Sequence, residues 1–353
     1  MNAPAALNTD AQLVDLGDAR MAERIDTFVE RKGASLFHRP AWLRAVEKGT
    51  GQRASGFVTR QYGAITGWLP LTEVRSVLFG KALVSSGFGV GGGILADTGD
   101  AIEKVACAAQ AYAQDHGFSA IEVRGGSLPD HWQQWDDRHA GFERALADTD
   151  ENQLQAIPRK ARAEIRKSLK NDLEIRIGSA PDDLAAHYAV YSESVRNLGT
   201  PVFPKSLFEA MLAEFPDAAD ILTVCKEGTP VSSVFSFYHG GAVMPFWGGG
   251  TVQARSERAN ERMYYELMLH ARRKGMKVFD FGRSKTGSGP YNFKKNWGFD
   301  PVPLVYGEWV AGGGQGRDID PTSDAYSRKI DLWKKLPLPI ANTIGPWIAR
   351  GLA

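Results

Sequence analysis

The sequence is poor in several residue classes, and each shortage excludes a kind of protein. Its 353 residues include only two cysteines, Cys107 in a helical pattern and Cys225 in an apolar strand pattern. Two such residues do not make the disulfide framework of a secreted protein, so we expect both to be buried thiols in a reducing compartment. The formal net charge is +1. The chain therefore has no overall attraction to nucleic acid or to an anionic membrane, we expect no DNA partner, and any attraction must come from local patches.

Long apolar runs and targeting signals are also missing. No run of 18 apolar residues predicts a transmembrane helix. The first residues, MNAPAALNTDAQLVDLGD, lack the basic and then apolar pattern of a signal peptide. We therefore expect a cytoplasmic protein. Hydrophobic residues make up 43% of the chain and charged residues 24%, which is typical of globular proteins, and the length suffices for two domains.

Three familiar catalytic or cofactor patterns are absent or out of context. The seven histidines show no HxxxH or HExxH spacing and have no cysteine partner, so we expect no metal site. No GxSxG is present, which disfavours a serine hydrolase. The stretch GFGVGGG contains GxGxxG, but ILADTGD follows it where a dinucleotide site needs a helix. We interpret this stretch as a glycine-rich strand pair.

An internal repeat organises the chain. AYAQDHGFSAIEVRGG and LHARRKGMKVFDFGRS both combine a helix end, a glycine stop (Gly117 or Gly275) and a short apolar strand with one acid. Upstream of each, a strand, a tight turn at Gly63 or Gly228 and a second strand also match. The order predicts one α/β unit used twice, with mixed sheets that carry helices on their faces. We expect domains at residues 1–155 and 156–311, followed by a linker and tail at 312–353.

In the second unit the pattern predicts helical structure over 181–215 and 256–274. It predicts strands at 221–226, 231–238, 243–247, 277–281 and 304–310.

The segment VFDFGRSKTGSGPYNFKKNWGF, which begins at Val278, has the densest chemistry. Asp280 lies inside an apolar strand, where a carboxylate needs a partner, and Arg283 is a candidate for that role. Glycines allow a close backbone approach, and a fixed cation can stabilise the oxyanion of acyl transfer. The residue types fit a solvated surface loop equally well. The aromatic and cationic candidates are Tyr291, Phe293, Lys294, Lys295 and Trp297.

Two further segments carry local charge. IPRKARAEIRKSLKN predicts a basic helix that is either a phosphate-binding surface or a solvated connection between domains. The tail begins with GGGQGR, typical of a flexible linker. It ends in LWKKLPLPIANTIGPWIARGL, which is either an interfacial amphipathic segment or a tail that packs on the protein body.

The helix ERMYYELMLHARRKG, the strand FDFGR, the segment FKKNWGF with YGE after it, and the basic RKARAEIRKSLK together resemble the FemAB-like proteins of the GNAT superfamily. The resemblance covers most of residues 20–310. Members attach amino acids or acyl groups to amines of cell-envelope precursors. The resemblance implies two tandem GNAT-like acyltransferase domains, with the acyl-transfer cavity in the second.

The resemblance also implies roles for individual residues. The motif positions fall on Phe293 and Lys294, with the lysine stabilising the transition state. A family glutamate matches Glu308, which we expect to position the acceptor amine or Lys294. As substrate-binding residues we expect Tyr291, Trp297, Asp280, Arg283, Arg159, Arg162 and Arg166, the last three holding phosphates of the donor or acceptor. The resemblance implies no resident cofactor. The acyl donor is then aminoacyl-tRNA or acyl-CoA.

One departure bears on the acceptor. Members that act on nucleotide-linked peptidoglycan precursors carry an arginine and, four residues later, a tyrosine, where this chain has Pro204 and Phe208. LGTPVFP and the tail are more similar to a branch associated with exosortase/PEP-CTERM loci and exopolysaccharide production. We therefore expect an envelope or polysaccharide precursor as acceptor and a peripheral membrane contact through the tail. A non-catalytic scaffold of a polysaccharide-synthesis complex is the alternative.

Overall fold

The computed structural model describes residues 10–313 and 330–352, and these divide into two compact units. Unit 1 comprises residues 10–136, 305–313 and 350–352, and unit 2 comprises residues 137–304 and 330–349. Each unit contains one eight-stranded sheet with both parallel and antiparallel pairs. The predicted α/β class with mixed sheets and two tandem domains is confirmed.

Unit 1 is built on a long antiparallel meander that is extended by a parallel strand. Its sheet order is β1-β2-β3-β4-β6-β16-β7, and β5 pairs with β3. The pair β4 and β6 is parallel because helix α3 returns the chain across the sheet between them. Its elements are β1 (Gln12–Leu13), α1 (Ala19–Arg31), α2 (Pro40–Thr50), β2 (Arg53–Gln61), β3 (Ala64–Ser76), β4 (Gly80–Ser85), β5 (Leu95–Ala96), α3 (Gly99–Asp115), β6 (Ala120–Arg124), β7 (Gln133–Trp135) and β16 (Tyr306–Val310).

Unit 2 repeats this plan. Its sheet order is β14-β8-β13-β12-β11-β10-β9, β15 pairs with β8, and the parallel pair is β12 with β13. Its elements are β8 (His139–Ala145), α4 (Asp150–Ala156), α5 (Arg159–Ser168), β9 (Glu174–Gly178), α6 (Pro181–Leu198), α7 (Lys205–Glu214), β10 (Ala219–Lys226), β11 (Thr229–His239), β12 (Ala242–Gly250), α8 (Val252–Glu257), α9 (Ala259–Arg273), β13 (Val278–Asp280), β14 (Ser284–Lys285), α10 (Gly289–Asn296), β15 (Pro301–Pro303) and α11 (Leu338–Ala349).

The glycines that identified the repeat have the same conformations in both units. Gly117 and Gly275 follow the last turns of α3 and α9 with φ of 69° and 83°. The hairpins β2–β3 and β10–β11 turn at Gly63 and Gly228, with φ of 83° and 75°. An L-residue with a side chain rarely adopts this left-handed backbone, so glycine is required for these turns. The local part of the predicted repeat is thus confirmed.

Each sheet is completed by a strand from a distant part of the chain. Strand β8, which follows the first repeat in sequence, pairs with β13 in the sheet of unit 2. Strand β16, which follows the second repeat, pairs with β6 in the sheet of unit 1. The units therefore differ from the predicted ranges: the first division falls at residue 137 instead of 156, and the strand predicted at 304–310 belongs to unit 1.

Two other segments differ from the predictions, and a third cannot be compared with the structure. The helix predicted over 256–274 is two helices, α8 and α9, separated by Arg258 in a left-handed conformation with φ of 57°. GFGVGGG is a loop between β4 and the short β5, and α3 begins only at Gly99. GGGQGR lies largely outside the described residues. No helix in the described ranges is long and apolar enough to cross a membrane.

The aromatic core of unit 2 positions the segment that begins at Val278. Phe279, Phe281 and Phe299 are each at most 4% exposed, and their ring centroids lie 5.0–5.9 Å apart. Phe142 on β8 and Trp297 at the end of α10 complete this part of the core. Buried aromatic rings on β13, β8 and α10 thus fix the strand and the helix on either side of the glycine-rich loop.

Candidate active site

The loop between β13 and α10 is shaped by an Asx turn and a capped helix. The Asp280 carboxylate accepts a hydrogen bond of 2.8 Å from the Gly282 N–H, and Gly282 has a φ of 68°. The Ser288 hydroxyl then accepts from the Tyr291 N–H at 3.3 Å and caps α10. Both contacts are short-range and are made by residue types that favour turns and helix starts. They hold the loop so that α10 brings Lys294 back against it.

Lys294 is a buried cation that points at the loop backbone. Its side chain is 8% exposed, and its Nζ donates to the carbonyl oxygens of Gly282 and Arg283 at 3.1 and 3.0 Å. The same Nζ lies 5.3 Å from the ring centroid of Phe142 and 5.6 Å from that of Phe281. An ammonium has three N–H donors. Within the described residues those two carbonyls are its acceptors, which leaves the third N–H available to a ligand oxygen.

Burial changes the acid–base behaviour of Lys294. Loss of solvation lowers the pKa of its ammonium to about 8. The nearby Asp280 carboxylate opposes this change, and the Arg283 guanidinium adds to it. Because the charged form is weakly solvated, it interacts more strongly with a developing negative charge than an exposed lysine would.

Asp280 is not paired with Arg283, contrary to the expectation from sequence. In the described structure its one hydrogen bond is with the Gly282 N–H, and Lys294 is the cation whose charge lowers its pKa. Burial and the Glu143 carboxylate raise that pKa, and burial dominates. Glu143 is the direct cross-strand neighbour of Asp280 on β8. The carboxylate therefore supports the turn beneath Lys294.

The predicted aromatic residues lie around α10. Phe293 lies 5.8 Å from both the Tyr264 and the Trp297 ring, between centroids. Tyr291 contacts Phe142 edge to face at 5.3 Å, and Trp297 is 2% exposed and belongs to the core. Sequence reasoning missed Phe142, because β8 was placed in the first domain. No local signal relates it to α10.

Glu308 belongs to a different unit from Lys294. It lies on β16 in the sheet of unit 1, where its Cα is paired with those of Glu122 on β6 and Gln133 on β7. The side chain is partly buried. Its predicted role, to position the acceptor amine or Lys294, remains a prediction.

The basic helix α5 presents most of its cations on one face, and Lys160 is not among them. Ala161, Ile165 and Ser168 are buried on the other face, at helical spacing. The exposed side lines a surface depression of about 350 Å³. Its residues, called the α5 basic face below, are Arg159, Arg162, Ala163, Arg166, Lys167 and Lys170.

The acid on α5 pairs with only one cation of this face, Lys167, and with Arg258 outside it. Glu164 accepts from Lys167 at 2.7 Å and from Arg258 at 2.6 Å, and hydrogen bonds from these two cations keep its pKa below the usual value. Arg162 donates to the Gln155 carbonyl at 3.0 Å. The predicted phosphate-holding residues Arg159, Arg162 and Arg166 are thus brought to one depression, which suits a polyanionic group.

The described residues offer no comparable site for a metal or a thiol nucleophile. No group of three or more His, Cys, Asp or Glu side chains in these ranges lies close enough to hold a metal ion. Cys225 is buried as expected, whereas Cys107 is only partly buried. Burial raises the pKa of both thiols, so neither is activated as a nucleophile.

Comparison with known proteins agrees with this picture. Residues 158–295, which contain the α5 basic face and Lys294, match the family model of the acetyltransferase (GNAT) domain. No curated protein matches the sequence.

Among solved structures, FemX aligns with a TM-score of 0.64 at 14% identity, over 85% of this chain and 97% of FemX. A tandem GNAT protein from the clavulanic acid biosynthesis pathway aligns with a TM-score of 0.57 at 12% identity, over 86% of this chain and 100% of that protein. The C-terminal domain of a putative lysylphosphatidylglycerol synthetase from Agrobacterium fabrum aligns with a TM-score of 0.55 at 12% identity, over 84% of this chain and 99% of that domain. These similarities show a tandem GNAT fold, and with the domain match they support an acyltransferase.

Proposed function

We propose that this chain is a FemAB-like N-acyltransferase that transfers an aminoacyl or acyl group to an amine of a cell-envelope or exopolysaccharide precursor in the cytoplasm. The observation that carries the proposal is the third N–H of Lys294, which faces no acceptor among the described residues. It lies within the GNAT-matching region, on a helix capped immediately after a Gly-rich loop. When the acceptor amine attacks the acyl carbonyl, the carbonyl oxygen becomes an oxyanion, and Lys294 donates to it.

The neighbouring residues have supporting roles in this proposal. The rings of Phe142 and Phe281 lie beside the ammonium and exclude water from it, which strengthens its effect on the oxyanion. Tyr291 packs on Phe142 and Phe293 on Phe281. Asp280 holds the Gly282 turn, so the two carbonyls that orient Lys294 stay in place. The acceptor amine loses its proton to water or to the substrate during the transfer. The oxyanion then collapses and the bond from the carbonyl carbon to the donor breaks, so that the ester oxygen of the tRNA or the thioester sulfur of CoA leaves and takes up a proton.

The α5 basic face is proposed to hold the phosphates of the donor. Both an aminoacyl-tRNA and an acyl-CoA carry phosphates that Arg159, Arg162 and Arg166 can bind by charge-assisted hydrogen bonds. Thermal unfolding separates the two donors, since a ligand present at about 100 times its Kd adds about 2.7 kcal/mol to the unfolding free energy. A shift with charged tRNA and none with CoA thioesters assigns the aminoacyl donor, and the reverse result assigns the acyl-CoA donor.

The acceptor is proposed to be an exopolysaccharide precursor, because LGTPVFP and the tail resemble a branch associated with exosortase/PEP-CTERM loci and exopolysaccharide production. Pro204 and Phe208, which replace the arginine and tyrosine of relatives that act on nucleotide-linked precursors, argue against a peptidoglycan precursor. Mass spectrometry of envelope polysaccharide and peptidoglycan from a deletion strain tests this. We expect one acyl or aminoacyl group to disappear from the polysaccharide, to return with the wild-type gene, and to stay absent with Lys294→Met. Full restoration by Lys294→Met contradicts the catalytic role. A loss with no transfer activity in any donor assay favours a scaffold.

A further inference from the structure

Helix α11 has one face that is fixed to unit 2. Ala341, Gly345 and Ala349, spaced four residues apart, are buried there. The helix packs on α6, where Asn342 donates to the Ser192 hydroxyl at 3.2 Å. A side chain at Gly345 would come within 3.1 Å of Val202. Small residues thus allow close packing, so the orientation of the helix on unit 2 is set by its buried face.

The opposite face of α11 is apolar and exposed. Ile340, Ile344 and Trp347 follow one another at intervals of four and three residues, and they are 49%, 40% and 51% exposed. Below, these three residues are called the α11 apolar face. Leu332, 66% exposed, precedes them in the same tail. Large apolar side chains exposed together on a helix that is otherwise fixed mark an interaction surface.

The charged side chains near this face, from residue 332 to residue 353, are all positive. Lys334 and Lys335 precede the helix and are exposed, Arg350 follows it in sequence, and residues 332–353 contain no acid. Asp331 lies 3.7 Å from Lys334 in an exposed ion pair, which contributes little stability. With a net charge of only +1 for the whole chain, this is a local accumulation of positive charge.

We propose that the α11 apolar face docks on the surface of an anionic lipid bilayer, with Ile340, Ile344 and Trp347 inserted at the level of the headgroups. Aliphatic side chains insert beside the acyl chains, and the tryptophan ring prefers the interface. Lys334 and Lys335 extend to the anionic headgroups. A second copy of the chain fits less well, because a two-fold interface places the same basic residues on both sides. The docking is independent of the acyl-transfer chemistry.

Vesicle flotation with the purified full chain tests the proposal. One set of vesicles is phosphatidylcholine alone, and the other mixes phosphatidylcholine and phosphatidylglycerol at roughly three to one. The test variant combines Ile340→Ser, Ile344→Ser and Trp347→Ser. The matched control combines Ile177→Ser, Val252→Ser and Val302→Ser, which are similarly exposed residues of the same unit outside α11, at 40%, 67% and 56%. A third variant, Lys334→Gln with Lys335→Gln, tests the charge.

We expect the wild-type chain and the control to float with the phosphatidylglycerol vesicles. The α11 variant should lose about tenfold or more of the partition coefficient, because three apolar side chains no longer insert. The lysine variant should lose the preference for anionic vesicles. All substituted side chains are exposed, so thermal unfolding should match the wild type. The proposal is overturned if the wild type floats with neither vesicle or the α11 variant floats as well as the control. It is also overturned if light scattering shows a wild-type dimer that the α11 variant converts to a monomer.

Discussion

Lys294 and Asp280 share one partner, Gly282. The Gly282 carbonyl accepts from Lys294 Nζ at 3.1 Å, and the Gly282 N–H donates to the Asp280 carboxylate at 2.8 Å. Each charged group also affects the pKa of the other in the direction that favours ionisation. The two charged groups therefore stabilise the same backbone turn, one through its N–H and one through its carbonyl. The position of this turn determines where the ammonium lies.

The depressed pKa of Lys294 predicts the pH dependence of activity. Burial lowers this pKa from 10.5 to about 8, so the ammonium deprotonates as the pH rises through that value. Since only the ammonium stabilises the oxyanion, we expect kcat to be retained below about pH 8 and to decline above it. The measurement is kcat against pH at saturating substrate. A kcat that increases steadily through this range would contradict the requirement for the Lys294 ammonium.

Lys294→Met should abolish most of the activity, whereas Lys295→Met should not. The two lysines are adjacent on α10, but Lys295 is exposed and its Nζ lies 5.8 Å from the Tyr291 ring centroid. Loss of one oxyanion donor typically lowers kcat by about 100- to 1,000-fold. Loss of the ammonium leaves the carbonyls of Gly282 and Arg283 without this donor, so thermal unfolding must show that Lys294→Met is still folded before the activities are compared. Equal activities of the two variants, measured by initial rates with a verified acceptor, would remove Lys294 from the mechanism.

Features of the fold and the site are predictable from sequence when the residues that make them are close together along the chain. Gly117, Gly275, Gly63 and Gly228 were found from sequence because a glycine stop or turn is a local requirement of the backbone. The ionic partner of Asp280 was assigned to Arg283 from spacing. Lys294 supplies that charge because α10 turns back over the loop, and spacing along the chain does not show the turn.

The placement of β8 and β16 was beyond local reasoning. The sequence pattern assigns residues 304–310, as a strand, and residues 139–145, with no strand predicted, to the repeat that they follow, yet β16 and β8 each pair with the sheet of the other repeat. Pairing between distant strands is decided by packing and register, and strand propensity carries little information about it. The same exchange places Phe142 beside Lys294 and separates Glu308 from the unit of Lys294. The break at Arg258 is similar, because its side chain donates to Glu164 on α5, a contact made between distant residues.

The α5 basic face should determine donor affinity and leave the chemical step unchanged. Arg159→Ala or Arg166→Ala removes one charge from the depression, and we expect the donor KM to rise by about three- to tenfold, because exposed charge-assisted contacts are modest. Lys160→Ala is the matched control, since Lys160 is an exposed cation of the same helix outside the depression. The effect should weaken as salt is added. Equal donor KM values for Lys160→Ala and Arg166→Ala would show that the arginine of the depression does not bind the donor.

Glu308→Gln tests the remaining predicted residue. If Glu308 positions the acceptor amine, the neutral amide loses the ionic attraction, and the acceptor KM should increase by about tenfold while the donor KM is unchanged. Glu122→Gln, on the neighbouring strand β6, is the control. Steady-state kinetics with each substrate varied in turn make the comparison. An acceptor KM unchanged from the wild type would contradict this role for Glu308.

Asp220 should make unit 2 sensitive to acid. Its carboxylate accepts from the Tyr238 hydroxyl at 2.7 Å, from His270 Nε2 at 2.9 Å and from Lys274 Nζ at 3.2 Å. Burial alone would raise its pKa, but the hydrogen bonds from His270 and Tyr238, with the charge of Lys274, bring it below the usual 3.8. Because the folded pKa is the lower one, this contribution to the free energy of unfolding is present at neutral pH and is lost as the pH falls through the folded pKa.

Asp220→Ala should lower the free energy of unfolding at about pH 7 by about 3 kcal/mol, because it leaves buried donors without their acceptor. Asp217→Ala, at an exposed acid three residues earlier, should change it by less than about 0.5 kcal/mol. Urea unfolding at about pH 7, 5 and 3 measures both variants. The difference between wild type and Asp220→Ala should shrink at the lowest pH, because the carboxyl group of the unfolded chain, whose pKa is the higher one, binds a proton there first. A difference that stays constant down to about pH 3 would mean that the Asp220 side chain stabilises unit 2 by packing and not by its charge.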